Sequence, residues 1–172
     1  GAVYWNGEYG EINHANFTGN RALGIANASD VHGVITYGGD GGALMWSGAL
    51  GFVLNSNFVN NTAAKRGGAV FLQGSEDEKC DNTTFRSSYF ANSVAGYNGG
   101  AILLPADKSE YTEIDRCNFT GNKATNDAGA IRWESTYGKI NNSNFISNSA
   151  DLWGGAIYWL GNDGNLKQSS FN

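Results

Sequence analysis

"GGAIYWLGNDGNLKQSSFN" at residues 154–172 closes this chain, and "GAVYWNGEYGEINHANFTGN" at residues 1–20 opens it. Both phrases run from a Gly-Ala start through an aromatic and Trp to a Phe, so the chain begins and ends on the same unit. Repetition of this kind is looked for first, because it decides the architecture. A Gly-Ala pair followed by an aliphatic residue recurs at Ala2-Val3, Ala43-Leu44, Ala69-Val70, Ala101-Ile102, Ala130-Ile131 and Ala156-Ile157. Between these pairs stands Phe-x-x-Asn-x-Ala, as Phe17/Asn20/Ala22, Phe58/Asn61/Ala63, Phe119/Asn122/Ala124 and Phe145/Asn148/Ala150, with a variant at Phe90/Ser93/Ala95. From each later Phe to the next alanine is eleven residues: 58 to 69, 90 to 101, 119 to 130, 145 to 156. From alanine to Phe is fifteen in four coils of six, so the basic unit is 26 residues.

Aligned on that unit, the columns carry the physics. Two places after the alanine-aliphatic pair comes Trp5, Trp46, Leu72, Leu104, Trp133 or Trp159, and between stands Tyr4, Met45, Phe71, Leu103, Arg132 or Tyr158. An arginine in the second column reads as outward and its neighbours as inward, which is strand alternation. Five residues before the Phe stands Ile12, Val53, Phe85, Ile114, Ile140 or Leu166, and two before it the small Ala15, Ser56, Ser88, Cys117, Ser143 or Ser169. Glycine and asparagine mark the corners, since both accept the left-handed backbone that sharp bends need. No stretch sustains a 3.6-residue period.

Three short strands per 26 residues, with like residues returning to like columns, predict an all-β fold: a single-stranded parallel β-helix of about six coils. Each coil rises about 4.8 Å, so identical side chains meet along the axis. An antiparallel sandwich gives no reason for a fixed period. The chain reads as one domain over residues 1–172, with outward loop insertions near 23–42, 74–84 and 105–113. Loops are where recognition concentrates.

Composition agrees with a folded, non-fibrous chain. Of 172 residues 41% are hydrophobic, 25 are Gly and one is Pro. The net charge of −5 is spread along the chain and poorly matches a phosphate backbone, which argues against nucleic acid. No apolar run reaches the ~18 residues of a membrane span.

Catalytic chemistry has little to hold on to. β-Helix enzymes on acidic polysaccharides need clustered carboxylates for calcium or acid–base work, with a basic residue nearby. Glu113 and Asp115 share a face, and Asp127, Glu134 and Asp151 are further candidates. The neighbouring coil sets Lys139 beside Glu113 and Asn141 beside Asp115, which reads as a salt-bridged exterior. Asp40 and the Glu76-Asp77-Glu78 run read as solvated loops, with weak Ca2+ binding by the 76–81 loop as the alternative. His14 and His32 are isolated. The expectation is therefore no catalytic residue and no cofactor; a polysaccharide lyase or hydrolase is the rival class. Tyr4, Phe71 and Tyr158 are candidate contact aromatics, for sugars or for a neighbouring subunit. Cys117 falls in the small inward column and Cys80 in an inserted loop, where the readings are a buried free thiol, a bridge within the chain, or one between subunits. Sequons begin at Asn16, Asn27, Asn60, Asn82, Asn118 and Asn141, a mild excess that marks candidate N-glycosylation.

The pairing of "GGAIYW" with "NSNFISNSA" at 142–150 resembles the tandem repeats of chlamydial polymorphic outer-membrane proteins. It is also similar to the adhesin-like surface proteins of methanogenic archaea. The resemblance covers nearly the whole chain and implies a β-helix serving adhesion, surface display or envelope structure. It points to a non-enzymatic extracellular cell-surface protein, with cell-surface glycans or other cells as partners; an adhesin passenger fragment of a longer repeat protein is the alternative. Both end coils read as uncapped, and open strand edges invite pairing. Head-to-tail self-association into a filament, tube or sheath is the further expectation.

Overall fold

A computed structural model describes residues 1–27, 35–74 and 79–172, with the side chains of 25–27 and 35–37 outside the description. The chain winds into a parallel β-solenoid. Three six-stranded sheets and one five-stranded sheet run along it, so five coils are complete and the sixth lacks its last strand. The expected six coils are thus five full turns and most of another.

Each coil has four faces rather than the expected three. The first carries the GGA-aliphatic strand, such as Ile102–Leu104, and the second a strand such as Glu113–Asp115. The third carries the Phe strand, such as Asn118–Thr120, and the fourth a two-residue strand such as Lys123–Ala124. That last strand holds the alanine of Phe-x-x-Asn-x-Ala pointing inward: Ala63, Ala95 and Ala124 are buried. Two residues are too few to display an alternation, which is why the strand is hidden in the sequence. The 23–42 insertion is more than a loop, since Ile25–Asn27 pairs antiparallel with Ile35–Tyr37.

Pairing is in register column by column. Phe58 lies beside Phe90, and Phe90 beside Phe119. Successive Phe rings from Phe17 to Phe171 stack at 4.7–4.9 Å, within 9° of parallel. Trp5 stacks on Trp46 at 5.0 Å and Trp133 on Trp159 at 4.5 Å. One coil cannot bury an apolar face alone; stacked coils bury them all.

Two polar rows inside the solenoid close the backbone accounting at its corners. In the small column, Ser56 Oγ accepts from Ala15 N, Ser88 Oγ from Ser56 N, and Ser143 Oγ from Cys117 N, at 3.1–3.2 Å. The asparagine of Phe-x-x-Asn does the same at the next corner. Asn122 Oδ1 accepts from Ser93 N at 3.0 Å, and Asn122 Nδ2 donates to Phe90 O at 2.9 Å. A buried amide so engaged leaves no orphan at a bend.

The GGA phrase is explained by two separate constraints. Its first glycine is left-handed, as at Gly99 (φ 67°). Its second passes so close to the next coil that a Cβ on Gly100 would lie 2.0 Å from the Gly129 carbonyl oxygen. Ala128 breaks the first rule, holding φ 64° where Gly41, Gly67, Gly99 and Gly154 stand in other coils. A left-handed alanine costs ~1–2 kcal/mol, partly offset by the ~0.5–1 kcal/mol of chain entropy that glycine forfeits on folding. Ala128→Gly is therefore expected to stabilise the chain by about 0.5 kcal/mol, read as a raised urea midpoint; a lowered midpoint would contradict it.

A third rule governs the corner before the second face. Coils with an inward Trp place a glycine there (Gly10, Gly51, Gly138, Gly164), and a Cβ at any of them would lie 2.2–2.6 Å from an indole. Coils with Leu72 or Leu104 place Thr83 or Thr112 instead, both fully buried. Each threonine hydroxyl donates three residues back, to Cys80 O at 2.7 Å and Ser109 O at 2.8 Å.

Candidate functional site

The outer surface is built from the residues left over by these rules, and the described carboxylates singled out above as candidates each lie against a cation. Asp115 is buried, with Oδ2 2.9 Å from Arg116 Nε and 3.3 Å from Arg86 Nε. Asn142 Nδ2 donates to its other oxygen at 3.0 Å. Burial alone would raise the Asp115 carboxyl, but the Asn142 amide and the Arg116 and Arg86 guanidiniums together hold it below the usual carboxylate range. A carboxyl lowered in the folded state stabilises above its ordinary pKa, and that contribution is lost as pH falls through the folded value.

The other candidates follow suit. Glu113 lies 3.8 Å from Arg86, and Asp151 lies 3.9 Å from Lys123. Arg132 bridges Asp127 and Glu134. Asp40, expected as a solvated loop residue, takes Arg66 in a two-pronged pair at 3.0 and 2.8 Å. Among the described residues, no three His, Cys, Asp or Glu side chains gather into a metal-holding group. His14 occupies an exposed left-handed corner (φ 51°), while His32 and Glu76-Asp77-Glu78 lie outside the described residues.

The three candidate contact aromatics part company. Tyr4 is 61% exposed. Tyr158 is half-buried, with the Arg132 guanidinium 5.2 Å from its ring centre and Trp153 6.0 Å away. Phe71 is 3% exposed and withdraws from the list. It does point outward, but the Arg66 guanidinium lies 4.6 Å over its ring. Sequence reading missed a different pair. Tyr111 and Tyr137 stack at 4.8 Å and both stay exposed at left-handed corners (φ 56°). Their signal was a column: each immediately precedes the Gly/Thr position, as Tyr9 does.

Cys80 and Cys117 are free thiols, both fully buried, so no bridge joins them. Cys80 Sγ donates to Trp46 O at 3.1 Å, and Cys117 Sγ contacts Asp115 O at 3.4 Å. Burial pushes Cys80 up to about 11 and Cys117 to about 12. An acid raised in the folded state keeps its stabilising effect below its ordinary pKa and loses it as pH climbs toward the folded value. At pH 8 neither thiol is expected to react with a thiol reagent in the folded chain, and both are expected to react in urea. Rapid labelling of one thiol per folded chain would contradict this.

Asn16, Asn60, Asn82 and Asn118 are exposed and Asn141 is half-buried, while the Asn27 side chain lies outside the description. At the C-terminal end of the coil stack, Trp159, Leu166 and Phe171 line an open apolar hollow of about 560 Å³. No helix among the described residues is long and apolar enough to cross a membrane.

Two stretches then connect this geometry to known proteins. Residues 55–73 and 142–158 match the Chlamydia polymorphic membrane protein repeat. No curated protein and no solved structure matches the chain. Each matched stretch starts at a left-handed corner, Asn55 or Asn142, and runs through the Phe and the corner asparagine into the GGA strand. The matched positions are thus the ones that make the coil: Phe58 and Phe145, Asn61 and Asn148, Gly67-Gly68 and Gly154-Gly155. The repeat is one of membrane proteins, which supports a surface location in general terms.

Proposed function

We propose that this chain is a non-enzymatic, extracellular segment of a cell-surface protein, a stiff β-solenoid that displays adhesive side chains and loops. The observation that carries this reading is the pairing of Asp40, Asp115, Asp127 and Glu134 with arginines. A general acid or a calcium cradle needs carboxylates left available to substrate or metal, and these hold guanidiniums instead. The repeat match supports the same reading from the family side. The exposed contact groups are Tyr4, the Tyr111–Tyr137 pair and Tyr97 (54% exposed), which lines a shallow groove with Lys65 and Arg66. Aromatic faces of this kind stack on sugar rings. Beads coated with the chain are expected to bind cultured cells or a glycan array. The same preparation is expected to leave acidic polysaccharides intact, and release of unsaturated or reducing ends would replace this reading with the enzymatic one.

A second reading is carried by the apolar hollow at Trp159, Leu166 and Phe171, with Leu166 and Phe171 44% and 47% exposed. In the isolated chain a second copy stacks on this face, continuing the coil register head to tail. Gly155 supplies a clean test, because a Cβ there meets nothing closer than Asn148 O at 3.6 Å. In a stacked pair it would face a carbonyl of the next copy, as Gly129 faces Gly155. Light scattering is expected to show concentration-dependent association that Gly155→Ala abolishes with the fold intact. A wild-type chain that stays monomeric at high concentration would remove this reading.

A further inference from the structure

The third face carries one outward row, Asn16, Asn57, Tyr89, Asn118, Asn144 and Ser170, each in register with the next. Its amides form two short ladders. Asn57 Nδ2 donates to Asn16 Oδ1 and Asn144 Nδ2 to Asn118 Oδ1, each at 2.8 Å. Ser170 Oγ donates to Asn144 Oδ1 at 2.7 Å. Each ladder therefore begins on an asparagine whose own NH2 makes no hydrogen bond among the described residues: Asn16 and Asn118, both exposed.

Those two are also the sequon members of the row. Asn16 and Asn118 are followed two residues on by Thr18 and Thr120, whereas Asn57 and Asn144 are followed by Val59 and Ile146. On a strand, residues i and i+2 point to one side, so asparagine and threonine stand together on the outward face. The remaining described sequons are built differently. At Asn141 the hydroxyl belongs to Ser143, which is buried and donates to Asn141 O at 2.7 Å. Asn60 and Asn82 sit at left-handed corners (φ 57° and 56°), with Thr62 and Thr84 beyond the bend on the next face.

We propose that Asn16 and Asn118 are the N-glycan acceptors of this chain, three coils apart and roughly 14 Å from each other along one face. The donor is an oligosaccharide carried on a lipid diphosphate, delivered by a membrane transferase. Nδ2 attacks C1 of the first sugar and the C1–O bond to the diphosphate breaks. The lipid diphosphate leaves with the bonding electrons, and the amide proton passes to a carboxylate of the transferase. Sugar at these positions leaves both ladders whole, because each amide keeps its Oδ1 as acceptor.

Glycopeptide mapping of the protein from its natural source is expected to find sugar on Asn16 and Asn118 and none on Asn141, Asn60 or Asn82. Thr18→Val and Thr120→Ile copy residues found in the same column, so they are expected to fold normally and to lose the sugar. Val59→Thr, which turns the ladder-bound Asn57 into a sequon, supplies an independent measurement. Asn57 Nδ2 already donates to Asn16 Oδ1, so this new sequon is expected to carry less sugar than Asn118, whose Nδ2 makes no hydrogen bond among the described residues. Bare Asn16 and Asn118, or sugar confined to the corner sequons, would overturn the proposal, as would a Val59→Thr chain glycosylated at Asn57 as fully as at Asn118. A bare chain that still sits at the cell surface would overturn this inference alone and leave the proposed function standing.

Discussion

Gly100→Ala is expected to cost about 4 kcal/mol or more of folding stability, in the range where single substitutions are exceptional. The added methyl would lie 2.0 Å from the Gly129 carbonyl oxygen and 2.7 Å from Lys123 backbone atoms. Neither can swing aside as a side chain could. The methyl must pry two coils apart, breaking bonds such as Gly100 N to Ala128 O and Ala101 N to Ala130 O, both 2.9 Å. Gly155→Ala is the matched control, with its nearest obstacle at 3.6 Å, and is expected to stay within about 0.5 kcal/mol of wild type. Urea unfolding of the two variants separates close coil stacking from any general need for glycine. Equal costs at both sites would mean that the tight contact at Gly100 is not what makes the position matter.

The second large effect concerns the Trp–Gly pairing. Gly138→Thr pushes a side chain to 2.2 Å from Trp133 Cζ2, and such overpacking costs about 3 kcal/mol. Trp133→Leu alone opens a cavity beneath the stacked Trp159 and costs a similar ~3 kcal/mol. Together they reproduce the Leu–Thr combination of coils carrying Leu72/Thr83 and Leu104/Thr112. The double variant is expected to recover on the order of 2 kcal/mol relative to the sum of the singles. Strict additivity would show that the two positions do not share one space.

Much of the fold was legible in the sequence because each coil repeats the same spatial problem. The inward Trp/Leu, Ile/Val, small and Phe columns stand where the period places them, and Arg132 correctly marked the outward column. The fourth face was not legible, because its two-residue strands carry one inward alanine each. Phe71 was misread for a related reason. The column showed which way the ring points, but its cover comes from Arg66 in another column, and a periodic pattern does not reveal a side chain folding back. The Gly/Thr partners of Trp and Leu were readable but show only when two columns are compared.

The candidate site was far less legible. Fold-making positions repeat and so announce themselves; contact residues such as Tyr97 and Tyr4 stand in columns that hold unlike residues in most other coils. The ladder that singles out Asn16 and Asn118 required knowing which amide hydrogens are already spent. The carboxylates could be listed from sequence, yet whether Asp115 is a free acid or a caged one depends on Arg86 from the coil beside it.

In-register stacking of parallel coils is tested most directly by NMR contacts among the phenylalanine rings of the third face, labelled at Phe17, Phe58, Phe90, Phe119, Phe145 and Phe171. Neighbouring rings sit 4.7–4.9 Å apart, so an unbroken series of contacts is predicted, each ring touching only the next in the row. Contacts that skip a coil, such as Phe17 to Phe90, or an absence of contact between Phe58 and Phe90, would contradict the solenoid.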